Sequence, residues 1–264
     1  MPAELIAEDC GRTMIAAHRA GAAIWPENSR TAFANALKMP VDLIEFDVHR
    51  SRDGVLVVHH DAVLGRTADG TGAVMDMDWA ELRQVPLRGA PQEHMPLLVT
   101  ILDMFDGSPI RPRLELKADA HGRPYPGMAA EVWTVLRAAG QARRTVISSF
   151  DPAYLDAARA EGAANVLWLL KAEPTAALLT DTAGFAREAL ARGIGEVAVR
   201  GVDATAELAA ACRDNGLILG AFAGKDLDFD RLLNSGLSVF TTDRPDLALE
   251  AGGRDRQVQA SAPA

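Results

Sequence analysis

The sequence contains little cysteine and few aromatic residues. Only two of its 264 residues are cysteines, Cys10 and Cys212, and aromatic residues make up 5% of the chain. Two thiols are too few for the disulfide frameworks that stabilise small secreted domains, and unpaired thiols suit a reducing compartment. We expect both thiols to be chemically inert. The composition therefore predicts a cytoplasmic protein rather than a secreted one.

Long apolar segments and an excess of positive charge are also missing. No segment approaches the ~20 consecutive apolar residues of a transmembrane helix, and the first residues are acidic instead of carrying the apolar core of a secretion signal. The formal net charge of -9 disfavours binding to nucleic acids and to anionic membranes. We expect a small-molecule substrate, no nucleic acid and no stable membrane insertion. The sequence leaves open whether the chain forms a homo-oligomer.

The hydrophobic content of 48% is enough for one large core. Short apolar segments rich in β-branched residues alternate with longer segments of helical periodicity, which is typical of strand–helix units around a parallel sheet. Eight candidate strands occur, the number that a closed TIM (β/α)8 barrel needs. The candidate strands are Thr13–Ala17, Leu43–Val48, Arg113–Lys117, Thr145–Ser149, Asn165–Leu169, Glu196–Val199, Leu217–Ala221 and Ser238–Thr241. Helices are predicted between them, for example over Ser29–Lys38, with an N-cap at Asn28 or Ser29, and over Ala206–Asp214.

The segment from Asp53 to Leu98 interrupts this alternation. Asp53-Gly54 is a turn signal ahead of a short apolar segment, so residues 53–98 are expected to form a hairpin and a small insertion after the second strand. After Gly252 the sequence has no apolar periodicity and offers too little burial to offset its ordering entropy. The sequence thus predicts one barrel domain over residues 1–252 and a disordered tail over residues 253–264.

The second and third predicted strands carry charged residues at alternating positions. Strand alternation places Glu45 and Asp47 on one face, and likewise Glu115 and Lys117, while apolar residues occupy the opposite faces. An isolated Glu-x-Asp pair is more often solvated or bridged by an arginine. Three carboxylates facing the inside of one barrel instead favour a hard cation such as Mg²⁺ or Ca²⁺, beside which Lys117 can bind phosphate.

Two histidines are placed to join these carboxylates. His18 ends the first strand and is followed by Arg19, whose planar donors suit phosphate oxygens. His60 follows the predicted hairpin. TIM barrels carry their chemistry at the carboxyl ends of the strands, and two imidazoles can divide general-acid and general-base roles. The remaining candidates, His49, His94 and His121, are expected to be structural.

These residues lie in motifs that resemble the glycerophosphodiester phosphodiesterase family. The resemblance covers roughly Met14 to Leu249 and implies a TIM barrel with a short insertion after its second strand. It implies His18 and His60 as the acid/base pair, and Arg19 and Lys117 as phosphate ligands. It further implies that one divalent cation, Mg²⁺ or Ca²⁺, is bound by Glu45, Asp47 and Glu115. The matching motifs are His18-Arg19, Pro26-Glu27-Asn28-Ser29, Glu45-x-Asp47, Asp53-Gly54, His60-Asp61, Arg66-Thr67, Leu114-Glu115-Leu116-Lys117, Ser148-Ser149-Phe150 and Thr242-Asp243-Arg244-Pro245.

The sequence departs from the family pattern at two places. Ala20 stands where the family usually has the glycine of His-Arg-Gly. The segment Ala221–Lys225 replaces the family's Trp-Thr-Val-Asn, so Phe222 keeps an aromatic wall for the substrate while the hydrogen-bonding groups change. The second departure leaves open which alcohol the substrate carries and what Lys225 does.

The resemblance implies hydrolysis of glycerophosphodiesters to glycerol 3-phosphate and an alcohol. Two alternatives are a related barrel phosphodiesterase that acts on lysophospholipid or sphingolipid head groups, and a non-catalytic protein that binds a phosphate ligand. The second is disfavoured because both histidines and all three carboxylates are intact. The sequence does not decide between direct attack by water and a cyclic phosphate intermediate, nor which histidine is the base.

Overall fold

A computed structural model of the chain describes residues 12–223 and 228–254. Within these residues the chain forms eleven strands and ten α-helices. The strands are β1 (Met14–Ala17), β2 (Leu43–Arg50), β3 (Leu56–Val58), β4 (Pro86–Leu87), β5 (Ala90–His94), β6 (Arg111–Leu116), β7 (Val146–Ser149), β8 (Val166–Leu169), β9 (Glu196–Arg200), β10 (Ile218–Ala223) and β11 (Val239–Thr242). The helices are α1 (Arg30–Ala36), α2 (Trp79–Leu82), α3 (Leu98–Asp103), α4 (Met128–Ala138), α5 (Pro152–Ala160), α6 (Ala172–Thr180), α7 (Thr182–Ala191), α8 (Ala206–Asp214), α9 (Phe229–Leu233) and α10 (Pro245–Ala251).

Eight of the described strands form a closed parallel barrel. Their order around the barrel is β1, β2, β6, β7, β8, β9, β10 and β11, and β1 pairs with both β2 and β11, which closes the sheet. The predicted TIM barrel is thereby confirmed, with each strand within two residues of its predicted bounds. The predicted helix caps agree as well: the Ser29 hydroxyl accepts a hydrogen bond from the Ala32 N–H at the start of α1, and α8 has its predicted bounds.

Alternation along β2 separates an apolar outer face from a charged inner face. Phe46, with its neighbours Ile44 and Val48, packs outward, and its ring lies 5.4 Å from that of Phe33 on α1. Burying each such ring stabilises the fold by roughly 1.5–3 kcal/mol. Aliphatic side chains from several strands fill a large part of the barrel interior. These aliphatic residues are Ala16, Leu43, Val146, Leu167, Leu169, Ala198 and Val239.

One buried ion pair lies within this interior. An Arg113 guanidinium nitrogen is 2.7 Å from a Glu196 carboxylate oxygen, and the two side chains are 2% and 1% exposed. Arg113 lies on β6 two residues before Glu115, so the pair sits one layer below the charged residues at the carboxyl ends. Buried charges of this kind are stable only when each has its partner.

The predicted hairpin after the second barrel strand is present. β3 runs antiparallel to β2, with Val48 opposite Val58 and Arg50 opposite Leu56. The small hairpin β4–β5 follows. The insertion contains a hydrophobic cluster separate from the barrel core. The buried members of the cluster are Val57, Leu64, Ala68, Val74, Leu82, Leu87 and Met95.

Some predictions fall outside the described residues. They concern Cys10, Lys225 and residues 255–264 of the tail. The disorder expected for the tail therefore stays a prediction. Arg254 is described, however, and its guanidinium lies 2.6 Å from the Asp42 carboxylate at the amino end of the barrel. Among the described helices, none is long and apolar enough to cross a membrane.

Candidate active site

Three buried carboxylates lie together at the carboxyl ends of β2 and β6. Asp47 pairs in register with Glu115, and Glu45 lies one inward position earlier on β2. Each of the three offers an oxygen within 4.8 Å of the others, and the residues are only 4%, 0% and 6% exposed for Glu45, Asp47 and Glu115. The structure thus brings the three predicted carboxylates together, while their role as metal ligands stays a prediction. Like charges buried this closely repel each other, so the cluster needs positive compensation.

Two cations supply part of that compensation. The Lys117 ammonium lies 2.8 Å from a Glu115 oxygen and 3.4 Å from Asp47 Oδ1. The Arg19 guanidinium lies 3.5 Å from Asp47 Oδ2, and the Arg19 backbone N–H donates to Glu45 at 2.9 Å. Although burial alone would raise the pKa of Asp47, the charges of Lys117 and of neighbouring cations hold it well below its usual range.

Glu45 is compensated less well than Asp47. Burial and the negative charge of Asp47 together raise the pKa of Glu45 to about 7. A carboxyl group with this pKa is partly protonated at neutral pH. The raised pKa reflects an excess of negative charge on the three carboxylates that Lys117 and Arg19 do not fully offset.

The residues present fit a divalent cation. Asp47 Oδ1 is buried and accepts no hydrogen bond from the described residues. Its nearest cation is the Lys117 ammonium at 3.4 Å, and a buried carboxylate oxygen without a hydrogen bond is costly. Oxygen donors from three carboxylates suit the hard cations Mg²⁺ and Ca²⁺, and not a metal that prefers thiolates. The acidic cluster is thus arranged to hold a metal ion, and the charges of the cluster alone do not select one of the two ions.

A turn in left-handed backbone conformation brings Arg19 to the cluster. Arg19, Ala20 and Gly21 follow β1 with φ angles of 48°, 62° and 98°. This conformation directs the Arg19 N–H at Glu45. Ala20, which replaces the family's glycine, adopts the left-handed conformation in spite of its side chain, which costs roughly 1–2 kcal/mol. The surrounding contacts therefore hold the turn against local strain.

Each candidate catalytic histidine is held by an aspartate. His18 Nδ1 is 2.5 Å from an Asp243 oxygen, and His60 Nδ1 is 2.5 Å from an Asp61 oxygen. Because a carboxylate accepts the hydrogen bond, Nδ1 carries the proton in both rings and Nε2 remains for other partners. His18 Nε2 lies 3.8 Å from Glu45, which places it at the acidic cluster. The two side chains are 23% and 26% exposed, so each ring is within reach of a substrate.

The two histidines differ in their electrostatic surroundings. Burial lowers the pKa of His18, but the Glu45 charge and the hydrogen bond to Asp243 outweigh it and raise the pKa above its ordinary value. For His60, burial and the charges of Lys117 and Arg19 outweigh the nearby carboxylates, so its pKa falls below the ordinary value. In the metal-free protein the two rings therefore bind protons with different strengths.

Sequence reasoning assigned no role in the site to several residues that the structure places there. The Glu27 carboxylate accepts from Arg19 at 3.1 Å and from Arg66 at 2.8 Å, and Asn28 Nδ2 donates to Asp47 at 2.9 Å. The aspartates that hold the two histidines belong to the same group. All of these residues lie in the motifs Pro26–Ser29, His60-Asp61 and Thr242–Pro245, which is where the signal for them was present.

Phe222 lies on the carboxyl-terminal part of β10, across the barrel from β2. Its ring packs edge to face on that of Phe150, with the centroids 5.6 Å apart. The structure thus places two aromatic rings in contact near the carboxyl end of β10, and a contact of Phe222 with substrate stays a prediction. His94 and His121, predicted to be structural, are exposed to solvent, whereas His49, also predicted to be structural, is buried and hydrogen-bonded to the His60 backbone.

Comparison with known proteins agrees with this geometry. The sequence model of the glycerophosphoryl diester phosphodiesterase family matches residues 18–247. The chain is 29% identical over 145 residues to a glycerophosphodiester phosphodiesterase of Caldanaerobacter subterraneus, covering 53% of this chain and 59% of that protein. It is 33% identical over 144 residues to a glycerophosphodiester phosphodiesterase of Bacillus altitudinis, covering 52% of this chain and 58% of that protein. In both alignments the chain spans less than two thirds of the relative's length.

A solved structure is similar over nearly its whole length. It is that of a protein from Agrobacterium tumefaciens, provisionally named a glycerophosphoryl diester phosphodiesterase. The two chains are 32% identical and superpose with a TM-score of 0.86, covering 93% of this chain and 99% of the other.

Proposed function

The chain belongs to the glycerophosphoryl diester phosphodiesterase family, and we propose that it hydrolyses glycerophosphodiesters to glycerol 3-phosphate and an alcohol. The observation that carries the proposal is the meeting of three buried carboxylates with two aspartate-held histidines at one end of the barrel. This combination suits phosphodiester cleavage because it provides charge compensation and proton transfer at one place.

We propose that Glu45, Asp47 and Glu115 bind one divalent cation, Mg²⁺ or Ca²⁺. When bound, such a cation offsets the charge of the phosphate oxygens and polarises the phosphoryl group. Arg19 and Lys117 flank the carboxylates on two sides. Their positive charges are placed to bind the phosphate and to stabilise the additional negative charge of the transition state.

His18 and His60 are proposed to move the protons of the reaction. One Nε2 accepts a proton from the nucleophile, and the other donates a proton to the departing alkoxide. Asp243 and Asp61 fix the rings so that Nε2 points away from the aspartates, and their charges stabilise each imidazolium. The nucleophile is water or the neighbouring glycerol hydroxyl, the latter by way of a cyclic phosphate.

The aromatic wall is proposed to contact the substrate. Phe222 and Phe150 offer an apolar surface at the carboxyl end of the barrel, against which carbon atoms of the diester can pack. A small water-soluble diester in the cytoplasm is the substrate that this arrangement and the acidic composition favour.

The proposal is tested by measuring glycerol 3-phosphate release from glycerophosphocholine and glycerophosphoethanolamine. The protein is first stripped of metal with a chelator, and Mg²⁺ or Ca²⁺ is then added back separately. We expect turnover to depend on the added cation and to be lost in Glu115→Gln and in His60→Ala. Near-normal turnover of His60→Ala at saturating metal would refute the two-histidine mechanism. Binding of a diester without turnover would instead support the non-catalytic alternative.

A further inference from the structure

His49 lies on β2 two residues after Asp47 and is fully buried. Its Nε2 is 3.0 Å from the carbonyl oxygen of His60, and its Nδ1 is 3.0 Å from the hydroxyl of Tyr125. A carbonyl oxygen only accepts hydrogen bonds, so Nε2 is the nitrogen that donates to the His60 backbone. A histidine predicted to be structural is thus bonded directly to the segment that carries the catalytic candidate.

The hydrogen bonds continue from Tyr125 to a second residue of the site. The Tyr125 backbone N–H donates to the Tyr154 hydroxyl at 2.5 Å, and that hydroxyl donates to the Lys117 carbonyl oxygen at 3.2 Å. The chain contains only these two tyrosines, and both are buried at this place. Tyr125 is thus hydrogen-bonded at two points, through its hydroxyl to His49 and through its backbone N–H to Tyr154. His49 and the two tyrosines thereby link the backbone of His60 to the backbone of Lys117.

The two ends of this series belong to different parts of the fold. His60 follows β3, which pairs with β2 of the barrel through three residue pairs, and the His59 backbone N–H donates to the Asp47 carbonyl at 3.1 Å. Lys117 directly follows β6 of the barrel itself. The carbonyl oxygens at which the series ends are those of His60 and Lys117, two candidate residues of the site. The network ties the inserted hairpin to the barrel at the two residues whose separation matters for the reaction.

We propose that His49, Tyr125 and Tyr154 are positioning residues, which fix His60 relative to Lys117 at the phosphate. The inference rests on the proposed function. Asp61 holds the His60 ring, and the network holds the His60 backbone. Displacement of a reacting group by about 1 Å can reduce the rate about 100-fold.

The decisive variants are His49→Leu and His49→Gln. Leucine removes the donor to His60, whereas the glutamine amide reaches a similar position and restores an N–H donor. We expect kcat of His49→Leu to fall about tenfold or more, with KM and metal affinity within about twofold of the wild type. His49→Gln should recover most of the lost kcat. Tyr125→Phe, which removes the partner of His49 Nδ1, should lower kcat in the same way.

Thr145→Val is the matched control. The buried Thr145 hydroxyl donates to the Gln141 carbonyl at 2.9 Å at the start of β7, at the opposite end of the barrel. This variant loses a comparable buried hydrogen bond, so it should show a lowered Tm and an unchanged kcat. If His49→Leu and Tyr125→Phe behave like Thr145→Val, with lowered Tm and unchanged kcat, the network is merely structural and the proposal is wrong.

The test does not depend on the identity of the substrate. The kcat values can be measured with any phosphodiester that the wild type cleaves, including an aryl diester. Absence of turnover on glycerophosphodiesters alone would refute the proposed substrate, and the positioning role of His49, Tyr125 and Tyr154 could still be tested. If the protein cleaves no phosphodiester at all, the imidazole resonances of His60 in NMR spectra test whether the three residues position His60. They should shift in His49→Leu and Tyr125→Phe and stay in place in Thr145→Val, and unshifted resonances in all three variants would overturn the proposal.

Discussion

Metal binding to the acidic cluster should compete with a proton on Glu45. Burial and the Asp47 charge raise the pKa of Glu45 to about 7, and a carboxyl group must be deprotonated to bind a metal. Below pH 7 the metal-free protein carries this proton, and binding releases it. The apparent affinity should therefore rise with pH up to about 7 and level off above it. Each pH unit below 7 corresponds to a tenfold loss of affinity, or about 1.4 kcal/mol.

Isothermal titration calorimetry of chelator-treated protein measures this effect. Between pH 6 and pH 8 the affinity for Mg²⁺ or Ca²⁺ should increase about tenfold. At pH 6, heats measured in two buffers of different ionisation enthalpy should show the release of about one proton per metal. The catalytic assay is not needed, so the result is independent of the substrate.

Glu45→Gln is the control for the origin of the proton. A carboxamide does not titrate, so this variant should bind metal more weakly and lose most of the dependence on pH. Retention of the tenfold change in Glu45→Gln would assign the proton to another group, such as His18, and would refute the reasoning. An affinity that is independent of pH in the wild type would refute it as well.

Three further predictions address proton transfer, the position of a carboxylate and the barrel interior. His18→Ala and His60→Ala should differ in activity on a diester with a good aryl leaving group. The variant that lacks the general acid should keep much of its activity on that diester, since an aryl oxide needs little protonation. Equal losses of activity in both variants would contradict divided acid and base roles. Asn28→Ala removes the amide that donates a hydrogen bond to the Asp47 carboxylate, and calorimetry should show a metal affinity lowered about tenfold or more. An unchanged metal affinity would show that the amide is dispensable. Glu196→Gln should destabilise the fold by about 3–5 kcal/mol because it leaves the Arg113 charge buried without its partner; chemical denaturation measures this, and a change below about 1 kcal/mol would disprove the argument.

The carboxylate cluster could be predicted from sequence because strand alternation is a local property. Glu45 and Asp47 are two residues apart on one strand, so their common face follows from the strand period alone. The register that sets Asp47 beside Glu115 is seen only in the folded sheet, because the sequence places each residue near the carboxyl end of its strand and no closer than that. The same local rules located His18 at a strand end and Ser29 at a helix start.

Partners that are distant in sequence could not be predicted in this way. Asp243 is 225 residues from His18, and Tyr125 is 76 residues from His49. No periodicity connects such positions, because the contact depends on how the barrel closes and on how the loops cross its mouth. The prediction that His49 is structural rests on the fact that a single histidine is more often structural than functional, and the sequence shows neither of its hydrogen-bond partners.

The insertion that carries His60 has a small hydrophobic core of its own, while His18 and the carboxylates belong to the barrel. Units with separate cores open separately when their stabilities differ, and the smaller unit usually opens first. Although β3 also packs on the barrel, we expect the insertion to open as a separate unit, and only the barrel contains the acidic cluster. In rising denaturant, or under thermal stress, activity should disappear while the barrel is still folded and the carboxylates still meet. We therefore expect loss of the proposed activity and global unfolding to be two separate transitions.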